Sequence, residues 1–481
     1  MSEPQLSNPP TRDAYDVVVL GGAIAGASTA LLLRREAPEL SVLVVEKTKM
    51  FDAKVGEATT EMSGMFLTRR LALWHHLESE QLPKEGLRYW FQNEHVHSHA
   101  DASEAGGYLR ATVPSFQLRR DALDQHVLDL ATEAGAELLR PAHAREVNLD
   151  PSPLENGRHS VRIDLGDGTS HLVSARWVVD ASGRACVLGK RLGLIEPNEQ
   201  HPTAAIWCRW RNVRHLDDVA AMGPLHFSRR NVSSRRLATN HYMGRGYWVW
   251  VIPLGNGETS IGIVYDRRLH RLHESRDRIP TYLKFLQDIP ALAELLEGAT
   301  PRTEDFRLYT HLAYATKQYM GDGWALVGDA AAFLDPYYSA GLDHMSFSVD
   351  ATVDIVKRQC RGEDATEIKK RIALHNQIFV RSYWRFFAAA YKDKYFYMGE
   401  CDLLSASFLL DTAQYYIFLV TPAYVRYGRF RSEPVLGTIH AGFNYRLMRL
   451  YNRRLKHIAL ARRAMGEEGR RNNGRRVKAF Y

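Results

Sequence analysis

The stretch that decides the fold is Asp16-Val17-Val18-Val19-Leu20-Gly21-Gly22-Ala23-Ile24-Ala25-Gly26. Its apolar run Val17 to Leu20 predicts a buried strand, the glycine-rich part a turn, and Ala27 to Arg35 a helix by composition. A second apolar run, Ser41 to Val45, ends in Glu46. Strand, turn, helix, strand is the order of a dinucleotide-binding βαβ unit. There the first glycine permits a tight turn, the second lets a pyrophosphate approach the backbone, and the third lets helix pack on strand; the acid binds ribose hydroxyls. Gly21, Gly26 and Glu46 suit those roles, and Ala23, the next smallest residue, stands where the second glycine is expected. A purely structural glycine turn is the alternative, and the unit by itself does not choose between FAD and NAD.

The chain has 481 residues, room for about three domains or one large domain with insertions. Residues 1–14 are polar and contain prolines, and they are expected to be disordered. Hydrophobic residues make up 45% and charged residues 25%, which excludes disordered, collagen-like and disulfide-scaffold classes. Cys186, Cys208, Cys360 and Cys401 are too far apart for a disulfide framework or a C-x-x-C pair, which fits a reducing cytoplasm and argues against structural zinc. The net charge of +8 resides in the tail: Arg446 to Lys478 holds twelve Lys/Arg against Glu467 and Glu468, which leaves the rest slightly acidic. The tail reads as a solvated terminal helix with a frayed end, or as a surface for an acidic carrier protein or anionic lipid. Charge confined to one end argues against nucleic acid. No uninterrupted apolar run approaches the ~18 residues of a membrane span, so the expectation is a soluble, cytoplasmic chain with no transmembrane segment and at most surface association.

Three later segments extend the first unit. Trp177-Val178-Val179-Asp180-Ala181-Ser182-Gly183-Arg184 is a strand ending in Asp-x-x-Gly, and Trp324-Ala325-Leu326-Val327-Gly328-Asp329-Ala330 a strand ending in Gly-Asp. The Asp329 carboxylate is placed to accept a hydrogen bond from a ribityl hydroxyl, with a helix expected to start from Ala330. Between them and the first unit lies Gln117-Leu118-Arg119-Arg120-Asp121-Ala122-Leu123-Asp124. In this order, over residues 14 to 350, they resemble the FAD-dependent aromatic hydroxylase superfamily. The resemblance implies an α/β, Rossmann-type FAD-binding fold with an inserted antiparallel substrate sheet and a helical C-terminal region. It implies FAD contacts for Gly21, Gly26, Glu46, Arg120 and Asp329. The corresponding division is a disordered 1–14, a split FAD-binding module over 15–350 with substrate-sheet segments at roughly 85–120 and 200–310, and a helical 351–481 with the basic tail.

Two motifs narrow the resemblance. Trp248-Val249-Trp250-Val251-Ile252-Pro253 matches W-x-W-x-I-P, and Phe333-Leu334-Asp335-Pro336-Tyr337-Tyr338-Ser339-Ala340-Gly341 matches F-x-x-P-x-x-S-x-G; both resemble patterns of the flavin-dependent halogenases. In that family reduced flavin (FADH2) and O2 give a C4a-hydroperoxide, chloride or bromide attacks it, and the hypohalous acid is guided to carbon by a lysine. Here Lys84, in Leu82-Pro83-Lys84-Glu85-Gly86, stands in the matching region after Val55-Gly56-Glu57-Ala58-Thr59. A desolvated lysine can donate hydrogen bonds to hypohalous acid or form a haloamine, which a permanently charged arginine cannot. A surface turn residue is the bland alternative for Lys84. Lys54 is the second candidate lysine, closer to flavin beside Gly56 and Glu57. Trp248 and Trp250 share one strand face and are read as a barrier that keeps organic substrate from the flavin, not as catalysts.

Family members acting on free tryptophan carry a glutamate just before the serine, where this chain has Tyr338. The absence of that carboxylate points to phenolic, pyrrolic or carrier-bound aromatic substrates, with Pro336 and Tyr338 on the substrate side. Ser339, Gly341 and Leu342 resemble the stretch near which the family binds halide through backbone N–H groups. No second Rossmann motif for NAD(P)H is visible, so a separate flavin reductase is the expected source of FADH2. A flavin-dependent aromatic hydroxylase or monooxygenase is the alternative function. Tyr383, Phe387, Tyr391 and Tyr395 recur every four residues as one helix stripe, either core or a lid over substrate. His95, His97 and His99 would share one face if they lay on a strand, but the polar stretch around them favours a loop and no metal.

Overall fold

The computed structural model describes residues 9–107, 113–150, 158–220, 234–432, 434 and 436–472. Val17 to Leu20 are no more than 2% exposed, as a continuous apolar run requires of a strand covered on both faces. That strand, Ala14–Leu20, pairs in parallel with Val42–Val45 on one side and Ser170–Asp180 on the other. Glu137–Leu139 and Trp324–Leu326 continue the parallel sheet outward. The helices Ile24–Glu36 and Arg120–Glu133 pack together against it. The chain therefore returns to this sheet after long excursions, and the parallel unit is split.

The excursions build a second sheet. Its order is Thr300–Pro301, Thr203–Arg211, Thr259–Asp266, Tyr247–Pro253, Thr239–Gly244, Leu87–Phe91 and Ser103–Gly106, with Arg307–Tyr309 also on Thr203–Arg211. Period-two alternation divides the strand Tyr247–Pro253: Trp248, Trp250 and Ile252 join one buried cluster, Val249 and Val251 another on the opposite face. This is the mixed α/β architecture with an inserted sheet that the resemblance implied. Long helices follow, Ala340–Cys360, Ala365–Phe386, Cys401–Tyr415 and Gly442–Ala464.

Several expectations need correction. The N-terminal segment is held from before Tyr15: Thr11 donates its backbone N–H to Glu137 Oε1 at 2.7 Å, and Ala14 already pairs with Ser174. Ala330 starts no helix. Gly328–Ala330 is a single 3-10 turn, and the helix begins ten residues later at Ala340, because Asp335, Pro336 and a left-handed Ser339 (φ 55°) intervene. The loop expected around the histidines is found, with His95 and His97 exposed and outside any strand; His99 alone departs from it, fully buried between Tyr242 and Glu294. The basic tail is more than a solvated helix, since Met448, Asn452, Ala459 and Arg462 are buried and Asn472 bonds Cys401 N, Gln92 O and Gly399 O. Arg475, Arg476 and Lys478 lie outside the described residues. One helical run, Cys401–Tyr427, is by length and composition apolar enough to cross a membrane. Ser405, Asp411 and Gln414 interrupt it, so counting unbroken apolar residues overlooks it.

A Cβ on Gly26 would lie 1.8 Å from Gly21 O, so the helix sits on the turn only because no side chain separates them. Gly26→Ala is expected to cost about 3 kcal/mol of stability or more, measured by denaturant unfolding; an unchanged midpoint would refute this packing.

Candidate active site

The parallel sheet ends in a turn made for close approach. Gly21 has φ +104°, and a Cβ there would lie 2.6 Å from Ala181 O. The helix that follows has no side-chain cap at Ala23, which leaves its first N–H groups, with the positive end of the helix dipole, open to an anion. Glu46 ties the turn to the next strand: Oε2 accepts Gly22 N at 2.7 Å, while Oε1 accepts Thr48 N and Oγ1. Oε2 keeps a lone pair for a hydroxyl.

Gly21, Ala23, Glu46, Lys54, Gly56, Glu57, Arg120, Asp329 and Arg184 all line one cavity of about 1310 Å³. That exceeds a single drug-sized ligand pocket. Arg120 is held by its own helix, Nε and Nη2 donating to Asp124 at 2.9 and 3.1 Å, and its Nη1 reaches Val55 O at 3.1 Å. Lys54 Nζ lies 3.2 Å from Asp124. Gly56, at φ +92°, leaves room for Arg120, whose Nη1 would be 2.6 Å from a Cβ. Glu57 is buried against Arg209, which donates to Oε1 at 3.1 and 3.2 Å; burial raises its carboxyl to about 6 and Arg209 opposes the rise. Burial also raises the Asp329 carboxyl, opposed by Arg184 and Arg120. An uncapped helix end, glycines whose Cβ atoms would clash and a carboxylate at the far strand end suit the phosphates and polyol of FAD.

The second sheet, antiparallel as expected except that Thr239–Gly244 pairs in parallel with Leu87–Phe91, and the segment leading into it from the short strand Leu82–Pro83 supply the middle of the cavity. Lys84 is 7% exposed, not a surface turn residue. Its backbone is clamped by Ser115, Lys84 N donating to Ser115 O at 2.8 Å and Ser115 Oγ to Lys84 O at 3.0 Å. Its Nζ donates to Thr59 O at 2.6 Å. Burial pushes this ammonium down to about 8, against the opposing pull of Glu61 and Asp343. Trp248 and Trp250 line the cavity with their indole N–H groups satisfied by Tyr395 Oη and Ser260 Oγ, each at 3.0 Å.

The third wall is helical. Ser339, Ala340, Gly341 and Leu342 line the cavity at the start of a 21-residue helix with no side-chain cap, and a Cβ on Gly341 would meet nothing within 4 Å. Pro336 opens the preceding turn. Tyr338 donates to Asp411 Oδ2 at 2.5 Å and accepts from Lys394 Nζ at 2.8 Å. A buried carboxylate thus stands beside Tyr338 even though none precedes Ser339 in the chain, because Asp411 reaches it from another helix. Tyr383 and Tyr391 also line the cavity, and all four stripe aromatics are buried, although a wider π-type turn at Phe387–Tyr391 breaks the four-residue period.

Sequence reasoning missed Asp411, Lys394 and Asp335. Only Asp411 left a signal, an acid in the middle of a largely apolar helical run. Among the described residues no three His, Cys, Asp or Glu gather as a metal site.

The family described as FAD binding domain matches residues 14–344. A flavin-dependent halogenase of Dictyostelium discoideum, chlA, is 26% identical over 451 residues, covering 88% of this chain and 72% of its own. A 1H-pyrrole-2-carbonyl-[peptidyl-carrier protein] chlorinase of Pseudomonas fluorescens is 26% identical over 350 residues, 68% of this chain and 72% of its own. The structure of halogenase PltM with phloroglucinol and FAD superposes with a TM-score of 0.71 at 20% identity, covering 95% and 94% of the two chains. With two glycines and two strand-end acids around one cavity inside the matched residues, the chain belongs to the FAD-binding domain family.

Proposed function

We propose that this chain chlorinates or brominates an electron-rich aromatic substrate, phenolic, pyrrolic or carrier-bound, using FADH2 from a separate reductase, O2 and halide. The observation that carries the reading is Lys84, a buried ammonium in the same cavity as the FAD-suited turn and the two tryptophans. Bound reduced FAD, with O2, supplies the oxidising equivalent that turns halide into hypohalous acid. The chain's own residues do the rest. Gly21, Ala23 and Glu46 hold the dinucleotide, and backbone N–H groups from Ala340 to Leu342, past a Ser339 N–H already given to Pro336 O at 2.9 Å, face the halide. Trp248 and Trp250 keep organic substrate and water from the flavin. The Lys84 ammonium donates a hydrogen bond to hypohalous acid and aims it at the ring; desolvation strengthens that bond. Tyr338, held by Lys394 and Asp411, faces the substrate. Four free cysteines fit a cytoplasmic setting. The related pyrrole-carrier chlorinase supports a tethered acceptor as one of the substrate forms.

Four results check this. Gly21→Val should abolish FAD binding in fluorescence titration while far-UV circular dichroism is retained, because a branched side chain at this φ clashes with Ala181. Lys84→Met should keep FAD and peroxide release but lower halogenated product by about 100-fold or more; product at the wild-type rate moves the role to Lys54. A hydroxylated product formed without halide would establish the monooxygenase alternative. Because the ammonium is the form present below its pKa, halogenated product per FADH2 oxidised should fall as pH rises through about 8, and Lys84→Met should lose that inflection.

A further inference from the structure

Single exposed apolar side chains are ordinary, whereas a cluster of them marks a surface that is covered in use. Of seventeen large apolar side chains exposed among the described residues, twelve lie between Leu409 and Met465. Ten of the twelve fall on two segments that pack side by side, Tyr451 Oη donating to Asp411 Oδ1 at 2.5 Å. In the run Cys401–Tyr427, Phe408, Asp411, Tyr415 and Leu419 point into the cavity. Its other face presents Leu409, Leu410, Ile417, Phe418 and Val425, each at least 41% exposed. Their seven- and eight-residue spacings, about two turns each, make one stripe. On the helix Gly442–Ala464, Phe443 (74%), Leu447 (38%) and Leu450 (68%) repeat the pattern.

Charge selects what covers this surface. The ion pairs of the second helix belong to Lys456, Arg462 and Arg463. Arg446, Arg449, Arg453 and Arg454 are exposed beside the apolar stripe, without an ion pair among the described residues. Apolar side chains bordered by guanidinium groups complement a bilayer interface, where acyl chains take the former and anionic headgroups the latter. The run Cys401–Tyr427 has the length, 27 residues, and the mean hydropathy, 1.4, of a span, yet 44% of its apolar window is buried within the fold. That inner face carries Asp411, bonded to Lys394, and cannot be turned to lipid without dismantling the cavity wall.

We infer that the outer face of residues 409–454 is an interfacial membrane-binding surface for anionic bilayers, which holds the chain on the membrane and not across it. The helix that walls the substrate side of the cavity then touches lipid. This is independent of the halogenation reading.

Sedimentation of the full-length, FAD-loaded chain with vesicles tests it. The chain should pellet with phosphatidylcholine vesicles containing phosphatidylglycerol, and far less with phosphatidylcholine alone or at high salt. Ile417→Ser with Phe418→Ser, and separately Arg446→Glu with Arg449→Glu and Arg453→Glu, should each lower the bound fraction about tenfold, with FAD content and melting temperature unchanged. A wild-type chain that stays in solution with anionic vesicles overturns the inference. So does equal binding to both vesicle types, or a dimer in light scattering that the Ile417→Ser and Phe418→Ser pair dissolves, which would assign the face to a second copy.

Discussion

The Asp335 carboxylate is the tie on which the site depends. It is buried between three parts of the chain: Oδ1 accepts Tyr337 N at 3.0 Å, and Oδ2 lies 2.8 Å from His201 Nε2 and 2.7 Å from Tyr395 Oη. His201 lies just ahead of the strand Thr203–Arg211 of the second sheet, Tyr395 belongs to the C-terminal helical region, and Tyr337 lies just ahead of Ser339. Tyr395 in turn accepts the Trp248 indole N–H. One carboxylate therefore sets the start of the Ala340–Cys360 helix, the Trp248 strand and the helical wall against each other. A buried carboxylate needs such partners, so these elements are fixed together.

Desolvation sets the chemistry of the cavity. The same burial that lowers the Lys84 ammonium raises the carboxyls of Glu57 and Asp343 to about 6. Groups displaced toward neutrality from both sides are what a site needs to hold or pass a proton near neutral pH. The helical wall helps by excluding water, and two π-type turns, Phe387–Tyr391 and Tyr416–Val420, re-aim its side chains where it borders the cavity.

The dinucleotide turn was legible because each of its residues answers to a local demand. Gly21 needs a positive φ, Gly26 a missing Cβ, and Glu46 the end of a strand. The Trp248 and Trp250 pair was legible for a similar reason, since alternation places both indoles on one face whatever the sheet packs against. Lys84 was different. Its Pro-Lys-Glu-Gly surroundings read as a surface turn, and only the family resemblance singled it out; its burial comes from Ser115 and Thr59, which sequence distance hides.

Local residues by themselves thus determined the βαβ unit and the alternating faces of the strand Tyr247–Pro253, because conformational preference and periodicity act over a few residues, whereas the split module and its inserted sheet followed from the family resemblance. Tertiary structure alone decided where the helix after Asp329 begins, that Asp411 and Lys394 stand behind Tyr338, and that an apolar face remains outside the C-terminal helices. Tyr338 and Asp411 are 73 residues apart in the chain. Their meeting follows from how helices dock on the two sheets, and no periodicity within either segment encodes it.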